Sequence, residues 1–153
     1  MSLALVLAKI RDQVAAVTPE RLGSSPFVPH TAAGSTMDLR TQATANPLGM
    51  HRHYEVRFAS PVDDGAATAT ARRWRATVTI IVAYEWGLMC QQDDAELTLG
   101  ADSQSIIDRL WNPNNWDEPT TGLMSCTAGA PKATRLRDAD VVMLEVPFTI
   151  IYY

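Results

Sequence analysis

The sequence predicts an α+β fold in which an antiparallel β-sheet carries two α-helices on one face, with a long loop after the first helix. Segments that alternate apolar and polar residues, above all residues 72–86 and 141–153, predict long strands. Apolar residues at helical spacing within residues 3–17 and 101–111 predict the helices. Because the elements do not alternate as βαβ units, we expect an antiparallel sheet.

The length and composition indicate an ordinary globular domain. The chain has 153 residues, so residues 1–153 are interpreted as one domain with one core. Hydrophobic residues make up 46% and charged residues 20%, which favours neither disorder nor a fibrous repeat. The formal net charge of -4 gives no reason to expect non-specific nucleic-acid binding, which needs a basic face.

The cysteine pattern and the hydropathy indicate where the protein folds. Cys90 and Cys126 are far apart and have no second Cys or His at metal-ligand spacing, so we interpret them as buried free thiols. Free thiols favour folding in a reducing cytoplasm. No apolar segment approaches the roughly 20 residues needed to cross a bilayer, so we expect a soluble protein with no membrane partner.

The first helix and the loop after it differ sharply in pattern. The apolar stripe of the helix consists of Leu3, Leu7, Ile10, Val14 and Val17. The polar residues Lys9, Arg11, Asp12 and Gln13 fall off this stripe, as on a surface helix. Residues 23–50 are rich in Ser, Pro, Thr, Ala and Gly and lack periodicity, which predicts a long loop with room for a short strand or helical turn around residues 38–43. Loops of this length usually bind a partner or remain disordered until they do.

The next segments predict a hairpin. Tyr54, Val56 and Phe58 share one face of a half-buried strand. The following long run is predicted to be the central strand, paired with the Tyr54 strand. Its inward face is expected to comprise Trp74, Ala76, Val78, Ile80, Val82, Tyr84 and Trp86.

The C-terminal part of the sequence predicts a second helix and a terminal strand. The helix contains Ala101, Ser105, Ile106, Leu110 and Trp111, with Asp102 placed to cap or charge its first turn and Asn112-Pro113 ending it. The terminal strand is expected to present Val142, Leu144, Val146, Phe148, Ile150 and Tyr152 on one face. Pro147 cannot donate a ladder hydrogen bond, so this strand should lie at an edge or be paired on only one side there.

No motif indicates catalysis. The sequence contains no P-loop, GxGxxG, GxSxG or HExxH pattern, and the adjacent carboxylates Asp63-Asp64 and Asp93-Asp94 do not form an opposed catalytic pair. We therefore expect no enzyme activity and no cofactor. His51, His53 and Glu55 could share one face of a strand as metal ligands, but solvent-facing histidines are the preferred interpretation, and no metal site is predicted.

Charged and aromatic residues indicate a surface for subunits or partners. Arg72, Arg73 and Arg75 surround Trp74, which is compatible with a small nucleic-acid or partner-binding site or with a solvated strand edge. We favour a third interpretation, in which these arginines meet acidic residues of a neighbouring copy in a head-to-tail contact. The predicted interface residues are Arg72, Arg73, Arg75, Asp93, Asp94, Glu96 and Trp116.

The assembled pattern resembles the tail terminator, or tail completion, proteins of long-tailed bacteriophages. The resemblance rests on the N-terminal helix LALVLAKIRDQVAAV, the strand RWRATVTIIVAYEWG, the helix DSQSIIDRLW with the acidic segment before it, and the terminal strand VVMLEVPFTIIYY. It covers most of the chain outside residues 23–50, and it is a likeness of order and size without an invariant motif.

The resemblance implies a structural virion protein located in the phage tail or neck. Such proteins form a ring, here a homo-oligomer expected to be a hexamer, that caps the tail tube, stops its polymerisation and joins the tail to the head. The implied partners are the major tail tube protein and the head-side connector or stopper protein, with DNA passing through the channel without specific binding. The implied ring surfaces are residues 59–72, 23–50 and 112–119. Another neck, head-closure or tail-tube subunit, or a small-ligand binding domain, are the alternatives.

Overall fold

A computed structural model describes residues 3–23, 25–30, 38–66, 72–92, 95–116, 122–136 and 138–153, and every structural statement below refers to these residues. The helices are α1 (Leu3–Ala15), α2 (Leu39–Ala45), α3 (Trp86–Gln92) and α4 (Ala95–Trp111), and a 3-10 turn spans Pro113–Asn115. The strands are β1 (Val28–Pro29), β2 (His53–Phe58), β3 (Val62–Ala66), β4 (Arg72–Glu85), β5 (Leu123–Ala128), β6 (Lys132–Leu136) and β7 (Val141–Tyr152).

The strands form one seven-stranded sheet, which confirms the predicted α+β class. Its main order is β1-β2-β4-β7-β5, and all pairings are antiparallel except that of β1 with β2. β4 and β7 pair along nearly their whole length and form the centre of the sheet. β2 and β3 follow one another along one side of β4, and β5 and β6 do the same along β7. The predicted pairing of the Tyr54 strand with the long strand is confirmed.

The main core lies between one face of the sheet and helices α1 and α4, and we call this face the helix face. All six residues predicted to share a face of β7 are buried there. β4 contributes Ala76, Val78, Ile80, Val82 and Tyr84 to the same core. Ile10 and Val14 of α1 and Ile106 and Leu110 of α4 cover them. The period-two alternation of both strands therefore supplies one continuous apolar layer.

The opposite face of the sheet carries a second, smaller core that the sequence pattern did not reveal. α2 packs there, burying Leu39 and Ala43 against Ile81, Ala83 and Met143. Asp38 caps this helix by accepting a hydrogen bond from the Thr41 N–H at 2.9 Å. Part of the predicted loop 23–50 is thus regular structure, and of the two options predicted around residues 38–43 the helical one is confirmed. Helices therefore lie on both faces of the sheet.

Four residues take positions that differ from the predicted ones. Trp86 begins α3 and does not end β4. Gln13 is buried, donates to the Asn115 carbonyl oxygen and accepts from Arg109, so this polar residue faces α4 and not solvent. Asp102 lies in the middle of α4, fully buried, where it cannot cap the helix. Trp111 lies on the helix but is exposed.

Pro147 is accommodated because the turn between β5 and β6 crosses beside it. The first predicted option, an edge position, is wrong because β7 is an interior strand. Pro147 nevertheless pairs only with Thr79 of β4, and no residue of β5 or β6 pairs with it. The Gly129 N–H donates to the Pro147 carbonyl oxygen at 2.7 Å. A Cβ added at Gly129 would lie 3.0 Å from Pro147 Cγ, so the turn approaches the proline as closely as glycine allows. The second predicted option, pairing on only one side, is confirmed.

None of the helices in the described residues has the length and apolar character to span a bilayer.

The second core predicts that α2 is an integral part of the fold. Leu39→Ala removes a fully buried side chain and should lower the free energy of unfolding by about 2–5 kcal/mol. Leu48→Ala, a control in the same segment whose side chain is 72% exposed, should change it by less than about 0.5 kcal/mol. Urea unfolding curves measure both values, and equal losses would show that α2 does not contribute to the core.

Candidate subunit interface

The three arginines predicted at the interface form ion pairs within their own hairpin. Arg72 contacts Asp63 at 3.1 Å. Arg73 contacts Asp64 at 2.8 Å, and Arg75 reaches the other oxygen of the same carboxylate. Each aspartate lies on β3 and each arginine on β4, so the pairs join the two strands of the hairpin. The arginine side chains remain 39–73% exposed, which leaves part of each guanidinium group accessible to a partner.

The remaining predicted interface residues lie elsewhere. Glu96 is exposed in the first turn of α4. Trp116 is half-buried, donates its indole N–H to the Leu110 carbonyl oxygen at 2.8 Å and packs against the main core. Asp93 and Asp94 lie outside the described residues. The structure therefore places Trp116 at the opposite end of the sheet order from the arginine hairpin, next to β5.

A buried ion pair that the sequence analysis missed holds the helix layer to the sheet. Arg52 and Asp102 are both fully buried. Arg52 Nε donates to Asp102 Oδ2 at 2.7 Å and Nη2 donates to Oδ1 at 3.0 Å, a bidentate contact. The Tyr84 hydroxyl donates to the same carboxylate at 2.8 Å. This network joins α4 to the start of β2 and to β4.

The other N–H groups of Arg52 hold the segment that follows α1. Nη1 donates to the carbonyl oxygens of Leu22 and Ser25 at 2.8 and 2.9 Å, and Nη2 donates to that of Arg21 at 2.6 Å. All five guanidinium N–H groups therefore have an acceptor, which a buried arginine requires. The positive φ of 58° at Arg52 turns the chain into β2.

The network is closed and has the character of a structural element. Burial is the main cause that raises the pKa of Tyr84, with the Asp102 carboxylate as the second, so the phenol stays protonated as a hydrogen-bond donor. Arg52 also lies over the Phe27 ring at 5.6 Å from its centroid. Protein groups occupy every donor of Arg52, so the arrangement binds the chain to itself and offers no site for a substrate.

His51 is buried and His53 is half-buried, whereas the sequence analysis expected both to face solvent. His51 packs edge-on against Tyr84 with ring centroids 5.4 Å apart, and neither of its ring nitrogens has a hydrogen-bond partner in the described part of the chain. Burial, with a smaller effect of Arg52, lowers the pKa of His51 to about 4. Burial likewise lowers the pKa of His53. The described residues contain no group of three metal-ligating side chains. Glu55 accepts the Leu39 N–H at 3.1 Å, next to the α2 cap.

Cys126 is a buried free thiol, as predicted. Burial raises its pKa to about 12, so the nucleophilic thiolate is not formed near neutral pH. It lines a cavity of about 130 Å³ beside β5. The other residues of this cavity are Leu110, Trp111, Pro113, Trp116, Leu123 and Ser125.

Two sheet edges lie open in the described residues. Beyond Tyr54, the outer side of β2 has no strand partner, because β1 covers only His53 and Tyr54. β5 forms the opposite end of the sheet and pairs only with β7. A large exposed aromatic side chain accompanies each edge: Phe58, 53% exposed, and Trp111, 70% exposed. Unprotected edges with apolar side chains are typical of surfaces that pair with another chain.

The fold matches a solved structure along almost its whole length. A chain of the "Virion of native gene transfer agent (GTA) particle" superposes with a TM-score of 0.51 and 17% sequence identity, covering 99% of this chain and 98% of that chain. At this identity the similarity establishes a shared fold. No protein-family model matches the sequence, and no curated protein matches it.

Replacing arginine by methionine should cost far more stability at the buried ion pair than at an exposed one. Arg52→Met leaves the Asp102 carboxylate buried without its partner and should lower the free energy of unfolding by about 3–5 kcal/mol. Arg72→Met removes an exposed ion pair and should cost less than about 1 kcal/mol. Chemical denaturation monitored by tryptophan fluorescence measures both, and similar costs would contradict the assigned role of Arg52.

The low pKa of His51 predicts a pH dependence of stability. The pKa of a histidine is ordinarily 6.5, and that of His51 in the folded chain is about 4. Between these two pH values the unfolded chain binds a proton at His51 and the folded chain does not. Stability should therefore rise with pH across this window, with a slope from this residue approaching about 1.4 kcal/mol per pH unit. His51→Phe should flatten the slope, since phenylalanine keeps the ring against Tyr84 but does not titrate. An unchanged slope in the variant would rule out His51 as the cause.

Proposed function

We propose that this chain is a structural subunit of a phage-like virion and has no enzymatic activity. The observation that carries the proposal is the end-to-end match with a chain of a gene transfer agent virion, which covers both chains almost completely. The fully buried network of Arg52, Asp102 and Tyr84 supports it in a second way, since every N–H group of the Arg52 guanidinium is bound within the chain. The virion is accordingly the proposed location, after folding in the host cytoplasm.

Within the virion, the proposed role is that of a ring-forming tail terminator. The ring would cap the tail tube, stop its polymerisation and join the tail to the head-side connector or stopper protein, with DNA passing through without specific binding. Two open edges at opposite ends of one sheet support a ring, because a contact between two different surfaces of a copy repeats around an axis. A hexamer is the proposed ring, and another neck, head-closure or tail-tube subunit is the second candidate role.

The charged hairpin remains a candidate contact in this ring. Arg72, Arg73 and Arg75 neutralise the two aspartates of β3 and leave one excess positive charge on the hairpin. Asp93, Asp94 and Glu96 before and within the first turn of α4 are the proposed acidic counterpart on a neighbouring copy, and Trp116 is a proposed anchor. Such exposed charges would steer association and make it dependent on salt.

The proposal predicts rings in solution or on a tail template. Light scattering across a range of concentrations, with negative-stain images of the same samples, should show a discrete species of about six copies. Adding the protein to purified, unfinished tail tubes should place density at one tube end and stop further growth. A protein that stays monomeric and does not bind tubes would contradict the terminator role, and binding along the tube wall would favour a tail-tube subunit.

A further inference from the structure

The described part of residues 21–30, which follows α1, is held to the sheet by one residue, Arg52. The guanidinium group of Arg52 donates to three backbone carbonyl oxygens of this segment, those of Arg21, Leu22 and Ser25. The Arg52 carbonyl oxygen accepts the Val28 N–H at 3.0 Å, and the guanidinium lies over the Phe27 ring. Both the side chain and the backbone of Arg52 therefore contribute to the attachment.

The other contacts that attach this segment are few. β1 pairs with β2 over only two residues, Val28 and Pro29, whereas β4 and β7 pair along nearly their whole length. Phe27 is the one residue of the segment that belongs to the main core. Elements with few buried apolar contacts can open while the rest of a fold stays intact. The segment could thus detach without disrupting the layer formed by α1, α4, β4 and β7.

His51, the residue before Arg52, is buried in a place that does not suit a charge. Its ring packs edge-on against Tyr84, and neither ring nitrogen has a hydrogen-bond partner among the described residues. A protonated His51 would be a second buried cation beside the fully buried Arg52. Two buried like charges without a counter-ion are strongly unfavourable.

The groups around His51 supply no free counter-ion. Both oxygens of the Asp102 carboxylate already accept from Arg52, and one of them also accepts the Tyr84 hydroxyl. Residues 21–30 include the basic residues Arg21 and His30 and contain no acidic residue. A proton on His51 would therefore compete with Arg52 for Asp102 and weaken the contacts that hold the segment.

His53 adds a second titratable group where β1 pairs with β2. It is half-buried, and burial together with the nearby His30 lowers the pKa of His53. The charged groups on the same side of the sheet pair among themselves, because Arg57 contacts Glu55 of its own strand and Asp38 at the start of α2. Acid would thus place positive charge at both ends of the short β1–β2 contact.

We propose that this segment is an acid-sensitive attachment, which protonation of His51, assisted by His53, releases from the sheet while the remaining fold stays intact. The inference goes beyond the proposed virion role and does not depend on it. In the released state His51 regains its ordinary pKa of 6.5, against about 4 in the attached state. The attached state is therefore fully favoured above pH 6.5, and each pH unit below it should raise the released fraction about tenfold through His51.

Hydrogen exchange of the whole protein, measured by mass spectrometry at pH 6.5 and pH 5 and corrected for the intrinsic exchange rate, tests the release. The Val28 amide should be less protected than the amides of β7 at both pH values. Its protection should fall about 30-fold between the two, which is tenfold per pH unit over 1.5 units. Equal protection of Val28 and β7 at both pH values would overturn the proposal, since the segment would then open only by global unfolding.

Two variants assign the effect to its histidine. His51→Phe keeps a ring against Tyr84 but does not titrate, so the acid-induced loss of Val28 protection should largely disappear. His53→Gln is the matched control and should retain most of it. A folded His51→Phe protein that loses protection as the wild type does would overturn the assignment. The comparison of Val28 with β7 in the wild-type protein needs no variant, so the test holds even if a substitution prevents folding.

Discussion

The fully buried Arg52–Asp102 ion pair is the interaction on which the arrangement of layers depends. Its two residues come from the start of β2 and the middle of α4, fifty positions apart in the chain, and Tyr84 attaches the pair to the central strand. The same guanidinium group binds three carbonyl oxygens of the segment after α1. Burial of two charges is costly unless every donor and acceptor is satisfied, so the pair enforces one geometry for three segments at once.

Whether an element of the fold could be predicted from the sequence depends on how far apart in the chain its stabilising contacts lie. β4 and β7 were predictable because alternation with a period of two is local and continues over many residues. α2 was predictable only as one of two options, a short strand or a helical turn around residues 38–43, since Leu39 and Ala43 make a stripe of only two residues in a segment of loop-like composition. Its position depends on the second face of the sheet, which no local pattern reports.

The site residues divide in the same way. The arginine hairpin was visible as a cluster in the sequence, but its pairing with Asp63 and Asp64 required the register of β3 on β4. One feature of the sequence could have indicated that Asp102 is buried. Asp102 lies four residues from Thr98 and from Ile106 on the stripe that continues to Leu110, and a carboxylate on a buried stripe needs a partner. The exposure of Phe58 could not be predicted, because alternation assigns a side chain to a face of the sheet but does not report what covers that face.

The open edge of β2 has a consequence for an isolated copy of the chain. The Phe58 side chain is 53% exposed on a strand whose outer side has no strand partner beyond Tyr54 among the described residues. Bare edges of this kind pair readily with other extended chains, so a copy with this edge uncovered should aggregate more readily than one whose edge is covered.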